Sequence, residues 1–252
     1  MRHKLVNELG MRSLSYPREV KIKEYDDQEM QERLIDFGNY IVENSTVKDH
    51  KSAYIECQTL NQAPNPFFVE EAADLLAWKM LRQLTPEEMP QTVVGPPSRG
   101  GPIAWETAKK LGLKTVLMAD RVPEMEEDPN GQKPFAKYNE KKGVMEIYHV
   151  PSFTTGIGYF THKIWRLDPL KYNRIGIIDD VCAYAKLIKA YRDALAELGI
   201  DVVYGCMAAK NFKDTHPPQT GFSDLVGGGT KAFNVVRFTG MTKDNKVIVD
   251  VS

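Results

Sequence analysis

Two adjacent carboxylates, Asp179 and Asp180, close the branched apolar run Ile175-Gly176-Ile177-Ile178. Successive strand side chains alternate faces, so the two acids point differently at the carboxyl end of a buried strand, where open α/β sheets bind ligands. The alternative is that they cap the following helix and sit at its positive end. A second set is Pro96-Pro97-Ser98-Arg99-Gly100-Gly101, which separates a short apolar strand from a helix. Backbone N–H groups freed by two Gly, a fixed Arg charge and a helix dipole can make an anion site. An ordinary glycine turn with a solvent-facing Arg is the competing reading. Lys210-Asn211-Phe212 falls at the carboxyl edge of another apolar strand, again on the ligand side. Cys182 lies in the loop after the acids, but no neighbouring residue supplies a base for it, and buried thiols are usually inert.

Positioning these groups requires parallel strands with their carboxyl ends together. Residues 92–95 read as a short buried strand, residues 102–111 as a helix begun by Pro102, and residues 115–118 as a second strand. That is a βαβ unit, which closes right-handed and implies a parallel sheet. The strand at Arg174 leads into a helix-period pattern at Leu187, Ala190, Tyr191, Ala194 and Leu198. Gly199 ends that helix, and residues 201–209 form a third strand, apolar almost throughout. Three loops, headed by Arg99, by Asp179 and Asp180, and by Lys210, should converge on one crevice.

The flanks read less sharply. Residues 27–42 carry a helical stripe of Met30, Leu34, Phe37 and Ile41, and residues 67–84 a stronger helix stopped by Pro86. Trp78 and Met80 are read there as core or interface packing. Residues 52–58 suit a strand and residues 61–66 a turn. The polar stretch 120–143, with its acidic run 124–128, reads as a long excursion of the kind that forms lids. Residues 144–150 and 152–160 suit a hairpin, and the tail beyond Pro217-Pro218 and Gly227-Gly228-Gly229 suits a β-rich cover. The expected organisation is a hood segment at 1–90, an α/β core at 91–212 and a β-rich hood segment at 213–252.

Composition excludes some classes. The chain has 252 residues and a net charge of −1, so nothing advertises nucleic acid or an anionic membrane as a bulk partner. Hydrophobic residues at 42% beside 27% charged are ordinary for a soluble globular protein. Without an apolar leader core, a cytoplasmic location is expected. Cys57, Cys182 and Cys206 are odd in number and form no metal-ligand pair, so reduced thiols are expected.

Taken together, Val93-Val94-Gly95-Pro96-Pro97-Ser98-Arg99-Gly100-Gly101-Pro102 and Ile177-Ile178-Asp179-Asp180-Val181-Cys182-Ala183 resemble the pyrophosphate loop and the start of the phosphoribosyl-pyrophosphate motif of type I phosphoribosyltransferases. The resemblance covers about residues 91–212 and implies a Rossmann-like parallel sheet flanked by helices, under a small hood built from both ends of the chain. It implies a glycosyltransferase that moves phosphoribose between pyrophosphate and a nitrogenous base, a purine among the candidates, with Mg²⁺. Asp179 and Asp180 would hold the ribose hydroxyls directly or through Mg²⁺-bound water; Ser98, Arg99, Gly100 and Gly101 would hold the pyrophosphate. Lys210 matches a lysine that reads the exocyclic oxygen of a 6-oxopurine, while Phe212 or Phe222 would stack on the base. Dimers are frequent in the family, and the Trp78 helix is a candidate interface.

One departure stands out. Where the family carries a Thr-Gly-Gly-Thr-like loop around the 5′-phosphate, this chain has Tyr184-Ala185-Lys186-Leu187 after Ala183. Ala185 and Lys186 restrict the backbone where Gly frees it, and two hydroxyl donors are gone. Lys186 offers a point charge without directional donors. The loop is therefore rebuilt, retuned for another ligand, or lost. A catalytically inactive nucleotide-binding or regulatory protein is the alternative function, and another sugar-phosphate enzyme on the same scaffold a third.

Overall fold

The computed structural model describes residues 24–57, 65–97, 100–123, 133–151 and 158–251. Its centre is a nine-stranded sheet. In chain order the strands are β3 Thr92–Gly95, β4 Val116–Pro123, β5 Phe135–Asn139, β6 Val144–Pro151, β7 Tyr159–Trp165, β8 Arg174–Cys182, β9 Asp201–Lys210, β10 Ala232–Met241 and β11 Val247–Asp250. A separate hairpin, β1 Ser45–Asp49 and β2 Tyr54–Cys57, precedes them. The sheet order is β11-β10-β9-β8-β3-β4-β7-β6-β5. From β10 to β4 every pairing is parallel, and the pairings beyond β4 and β10 are antiparallel. The mixed sheet with helices on both faces is the α/β class expected.

Helices α1 (Asp27–Asn44), α2 (Pro66–Gln83) and α3 (Gly100–Lys110) cover one face; α4 (Lys186–Ala196) and α5 (Gly221–Gly227) lie on the other. α2 starts where the sequence says a helix starts: Asn65 accepts the Phe67 N–H through its side chain, and Pro66 occupies the first turn, where no N–H is missed. Its buried residues run round most of its circumference, because it lies between the sheet and α1. Trp78 is only 2% exposed and donates Nε1–H to Asp27 of α1 at 2.9 Å, so its ring packs inside the chain. Asp74, buried on the same helix, accepts from Arg33 (3.1 Å) and pairs with Lys110 (3.2 Å), which ties α1, α2 and α3 with one carboxylate.

Three features differ from the sequence reading. The tail beyond residue 212 is not only a cover: β10 continues the parallel sheet beside β9, and residues 221–227 form a helix. Phe233, Val235 and Val236 are buried there, so the apolar pattern belonged to a central strand. Within 120–143, residues 120–123 complete β4 and residues 135–139 form β5; the acidic run 124–128 lies outside the described residues. Finally, β8 runs through both acids to Cys182, because β9 is long enough to pair with it to the end, Asp179 opposite Cys206 and Cys182 opposite Ala209. No helix of the described residues is long and apolar enough to cross a membrane.

Candidate functional site

Because β3, β8 and β9 are parallel, Gly95, Asp179 and Asp180, and Lys210 all lie toward one edge of the sheet. The acids are half-buried. Asp179 Oδ1 accepts from the N–H of Asp180 at 2.9 Å, and Asp180 Oδ1 accepts from the N–H of Val181 at 2.8 Å. Each carboxylate is thereby oriented by the backbone N–H one residue on. Capping is excluded, since α4 begins at Lys186 and its N-cap, Ala185, makes no side-chain cap bond. Among the described residues no Lys or Arg forms an ion pair with Asp180.

The loop before α3 meets these acids. Gly100 is buried against β8, and a Cβ built there would fall 2.7 Å from Asp179 Cα, 2.8 Å from its Oδ1 and 2.9 Å from the Ile178 carbonyl oxygen. Real Cβ atoms do not come that close to backbone, so glycine is required by a close approach. Gly95 and Gly101 pack beneath the flexible end of Met118, a Cβ on Gly95 falling 2.9 Å from Met118 Sδ and 3.3 Å from Gly101 Cα. The start of α3 thus brings its positive dipole end to the carboxyl end of β8. Ser98 and Arg99 lie outside the described residues; Gly100 and Gly101 are brought to the acid pair.

On the far side of the acids the chain bends through Ala183 and Tyr184. Ala185 takes the left-handed conformation, φ 54° and ψ 18°, before α4 begins. An alanine here bears a steric cost of roughly 1 kcal/mol that glycine avoids. The bend is pressed from outside by Gly221, whose N–H donates to Ala183 O at 2.9 Å. A Cβ on Gly221 would fall 2.2 Å from the Tyr184 carbonyl carbon, so this second glycine is also demanded by backbone contact. Lys186 Nζ stands 5.8 Å from the centre of the Tyr184 ring, and the Tyr184 hydroxyl accepts from Gln219 Nε2 at 3.2 Å.

The tip of the β1–β2 hairpin reaches this edge. Lys210 Nζ donates to Ala53 O at 2.9 Å, and Gln219 Nε2 donates to Ser52 O. Burial lowers the Lys210 amine from its ordinary 10.5 to about 8. Lys210 therefore sits at the expected edge but is tied to the hairpin. Phe212 is 5% exposed and packed in the core cluster of α1 and α2, and Phe222 is buried near Tyr204 with ring centres 6.4 Å apart. Both rings are engaged with the protein. Desolvation pushes the Cys182 thiol up to about 12, so it carries its proton at neutral pH. Cys182 and Cys206 are free thiols, as expected from their spacing.

The sequence reading missed Gln219, Gly221 and the hairpin tip at Ser52 and Ala53. Only Gly221, a glycine directly before a helical turn, leaves any trace in the sequence.

As a donor set, the acid pair is oxygen-only and falls short of a protein-built metal cage; among the described residues no three His, Cys, Asp or Glu cluster for a metal. That fits Mg²⁺, which keeps several waters and takes one or two carboxylates together with substrate phosphates.

No protein-family model matches the chain, and no curated protein matches it. Solved structures do. Adenine phosphoribosyltransferase from Trypanosoma brucei, solved with AMP, pyrophosphate and ribose-5-phosphate, superposes with a TM-score of 0.54 at 13% identity, covering 84% of this chain and 82% of that one. Adenine phosphoribosyltransferase from Saccharomyces cerevisiae gives 0.51 at 16% identity, covering 80% of this chain and 99% of that one. The enzyme from Rhodothermus marinus gives 0.50 at 16% identity, covering 81% and 99%.

Proposed function

We propose that this chain, whose fold is that of the type I phosphoribosyltransferases, transfers phosphoribose between pyrophosphate and a nitrogenous base in the crevice at the carboxyl edge of its parallel sheet. One observation carries the reading: the backbone at Gly100 abuts Asp179, which puts the start of α3 beside the acid pair.

Cleaving a bond between ribose C1 and pyrophosphate builds positive charge on the sugar and negative charge on the departing diphosphate, so catalysis is mostly positioning and electrostatics. Asp179 and Asp180 accept hydrogen bonds from the ribose hydroxyls, and their backbone anchors keep them aimed. Ser98, Arg99 and the N–H groups at Gly100 and Gly101 hold the pyrophosphate. Mg²⁺, held through the Asp179 and Asp180 carboxylates, supplies charge neutralisation on the diphosphate. The hairpin tip and Lys210 close the crevice from the base side, with Phe212 supporting them from beneath. The β1–β2 hairpin and the connection around Gln219 supply the hood. The reduced Cys182 and Cys206 suit a cytoplasmic setting, and a homodimer, tested by sedimentation at working concentration, completes the proposal.

Incubation with phosphoribosyl pyrophosphate, Mg²⁺ and a panel of bases should release pyrophosphate, and Asp179→Asn and Asp180→Asn should each abolish the release. A second reading, a sensor that binds without turnover, is favoured by the loop 184–187 alone. Saturable binding with no pyrophosphate release from any base would select it.

A further inference from the structure

Gln219 lies in the connection between β9 and β10, and its backbone exchanges two hydrogen bonds with Phe212, at 2.9 and 3.1 Å. Its side chain is 2% exposed. Nε2 donates both to Ser52 O and to the Tyr184 hydroxyl. The Ser52 carbonyl can only accept, which fixes the nitrogen end of the amide toward it. Oε1 is then left buried with no hydrogen-bond partner. A buried acceptor left unsatisfied costs about 1–3 kcal/mol, so a native structure retains one where something else fills it. The Tyr184 hydroxyl is in the complementary condition. Having accepted from Gln219, it must aim its own proton elsewhere, and among the described residues nothing accepts it. Tyr184 is also half-buried, with Lys186 Nζ 5.8 Å from its ring centre.

An acceptor and a donor therefore stand on two hydrogen-bonded side chains, braced by the hairpin tip, just past the carboxyl ends of β8 and β9. We propose that Gln219 and Tyr184 form a reading pair for the base, in which Gln219 Oε1 accepts an N–H and the Tyr184 hydroxyl donates to the neighbouring ring nitrogen or carbonyl. The inference rests on the phosphoribosyl-transfer reading and assigns Tyr184 to the base in place of the 5′-phosphate. The ligand class it selects is a nitrogenous heterocycle whose edge presents a donor next to an acceptor. A ring without that edge leaves both protein groups unmatched, which is how polar sites reject analogues most strongly.

The test uses the full chain with phosphoribosyl pyrophosphate and Mg²⁺, with adenine, hypoxanthine and benzimidazole, which lacks the polar six-membered ring, as probes. Tyr184→Phe and Gln219→Glu should each raise the KM of the preferred purine at least about tenfold, while the KM for phosphoribosyl pyrophosphate moves less than about twofold. The double variant should be little worse than either single one, because each group braces the other. Benzimidazole should be a poor substrate for every form. An unchanged purine KM overturns the inference; so does an equal fall in kcat for every base, which is the signature of a merely structural brace. Tyr184→Phe removes one oxygen and keeps the ring, so it serves where Gln219→Glu fails to fold. If the wild-type chain releases no pyrophosphate, the transfer reading fails first. Calorimetric titration of the same bases then decides the inference: a loss of at least about tenfold in Kd in the variants supports it, and equal Kd values or no binding to the wild type overturn it.

Discussion

The two rims of the crevice are built on different principles. On one, glycine lets backbone meet backbone: Gly100 lies against Asp179, and each acid is aimed by a backbone N–H one residue on. On the other, the bend at Tyr184 and Ala185 carries a side chain at every position, one of them in a left-handed conformation, and is held by side-chain and backbone contacts from Gln219 and Gly221. The first rim keeps what a diphosphate and a diol need, close approach and fixed charge. The second has exchanged a backbone cradle for a phenol and an amide. On the proposed function, the Gly100 rim would serve the reacting bond, and the rim around Tyr184 would set what else the protein binds.

The comparison can be broken first at the acids. Asp180→Asn keeps the backbone bond to Val181 and removes the charge, and pyrophosphate release should fall at least about 100-fold with the thermal midpoint almost unmoved; a large drop in midpoint would mean the acid serves the fold. Gly100→Ala comes next. With Asp179 backbone in the way, the added methyl should cost about 1–3 kcal/mol in urea unfolding, and should cut turnover by more than that loss of folded protein explains. Full activity in that variant would show that the two strand ends do not have to touch.

The base side is sharpened by pH. The Lys210 amine is held near 8 in the folded chain by desolvation, against 10.5 when free, and Lys79, buried beneath β10, is lowered to about the same value. Between about pH 8 and 10.5 these two amines bind more protons in the unfolded chain than in the folded one and by themselves make stability rise with pH, against the buried Cys182 and Cys206 thiols, whose raised pKa makes it fall above about pH 9. Below it the cost of burying both charges is fully present. Lys210→Met should make the change in urea midpoint from pH 8 to 10 less favourable than in the wild type, by the Lys210 share alone. An unchanged slope would place the Lys210 amine in solvent. The smallest effect is expected at Ala185→Gly, where relief of the left-handed strain is partly offset by chain entropy, for a net gain of up to about 1 kcal/mol. A loss of stability there would mean that the bend does not need a left-handed residue.

Much of the first rim was legible because its signals are local. A branched apolar run, two acids, a glycine pair and a helix-opening Pro102 each announce their own structure, and parallel pairing then forces them to one edge. The second rim was read only as a departure. Gln219 meets Tyr184 across 35 residues and Ser52 across 167, and no periodicity encodes contacts of that range. For the same reason Asp74, in the middle of a helix, carried no mark of the ion cluster it anchors with Arg33 and Lys110. The tail 213–252 misled because Gly227-Gly228-Gly229 reads as a turn between cover strands, whereas burial of Phe233, Val235 and Val236 makes β10 an interior strand.

The most direct measurement is calorimetric titration of the full chain with phosphoribosyl pyrophosphate in Mg²⁺, run beside Asp179→Asn and Asp180→Asn. One saturable site, weakened at least about tenfold by either substitution, is the result predicted for a crevice that grips a sugar diphosphate through its strand-end acids. No heat of binding, or equal affinity in all three proteins, would contradict it.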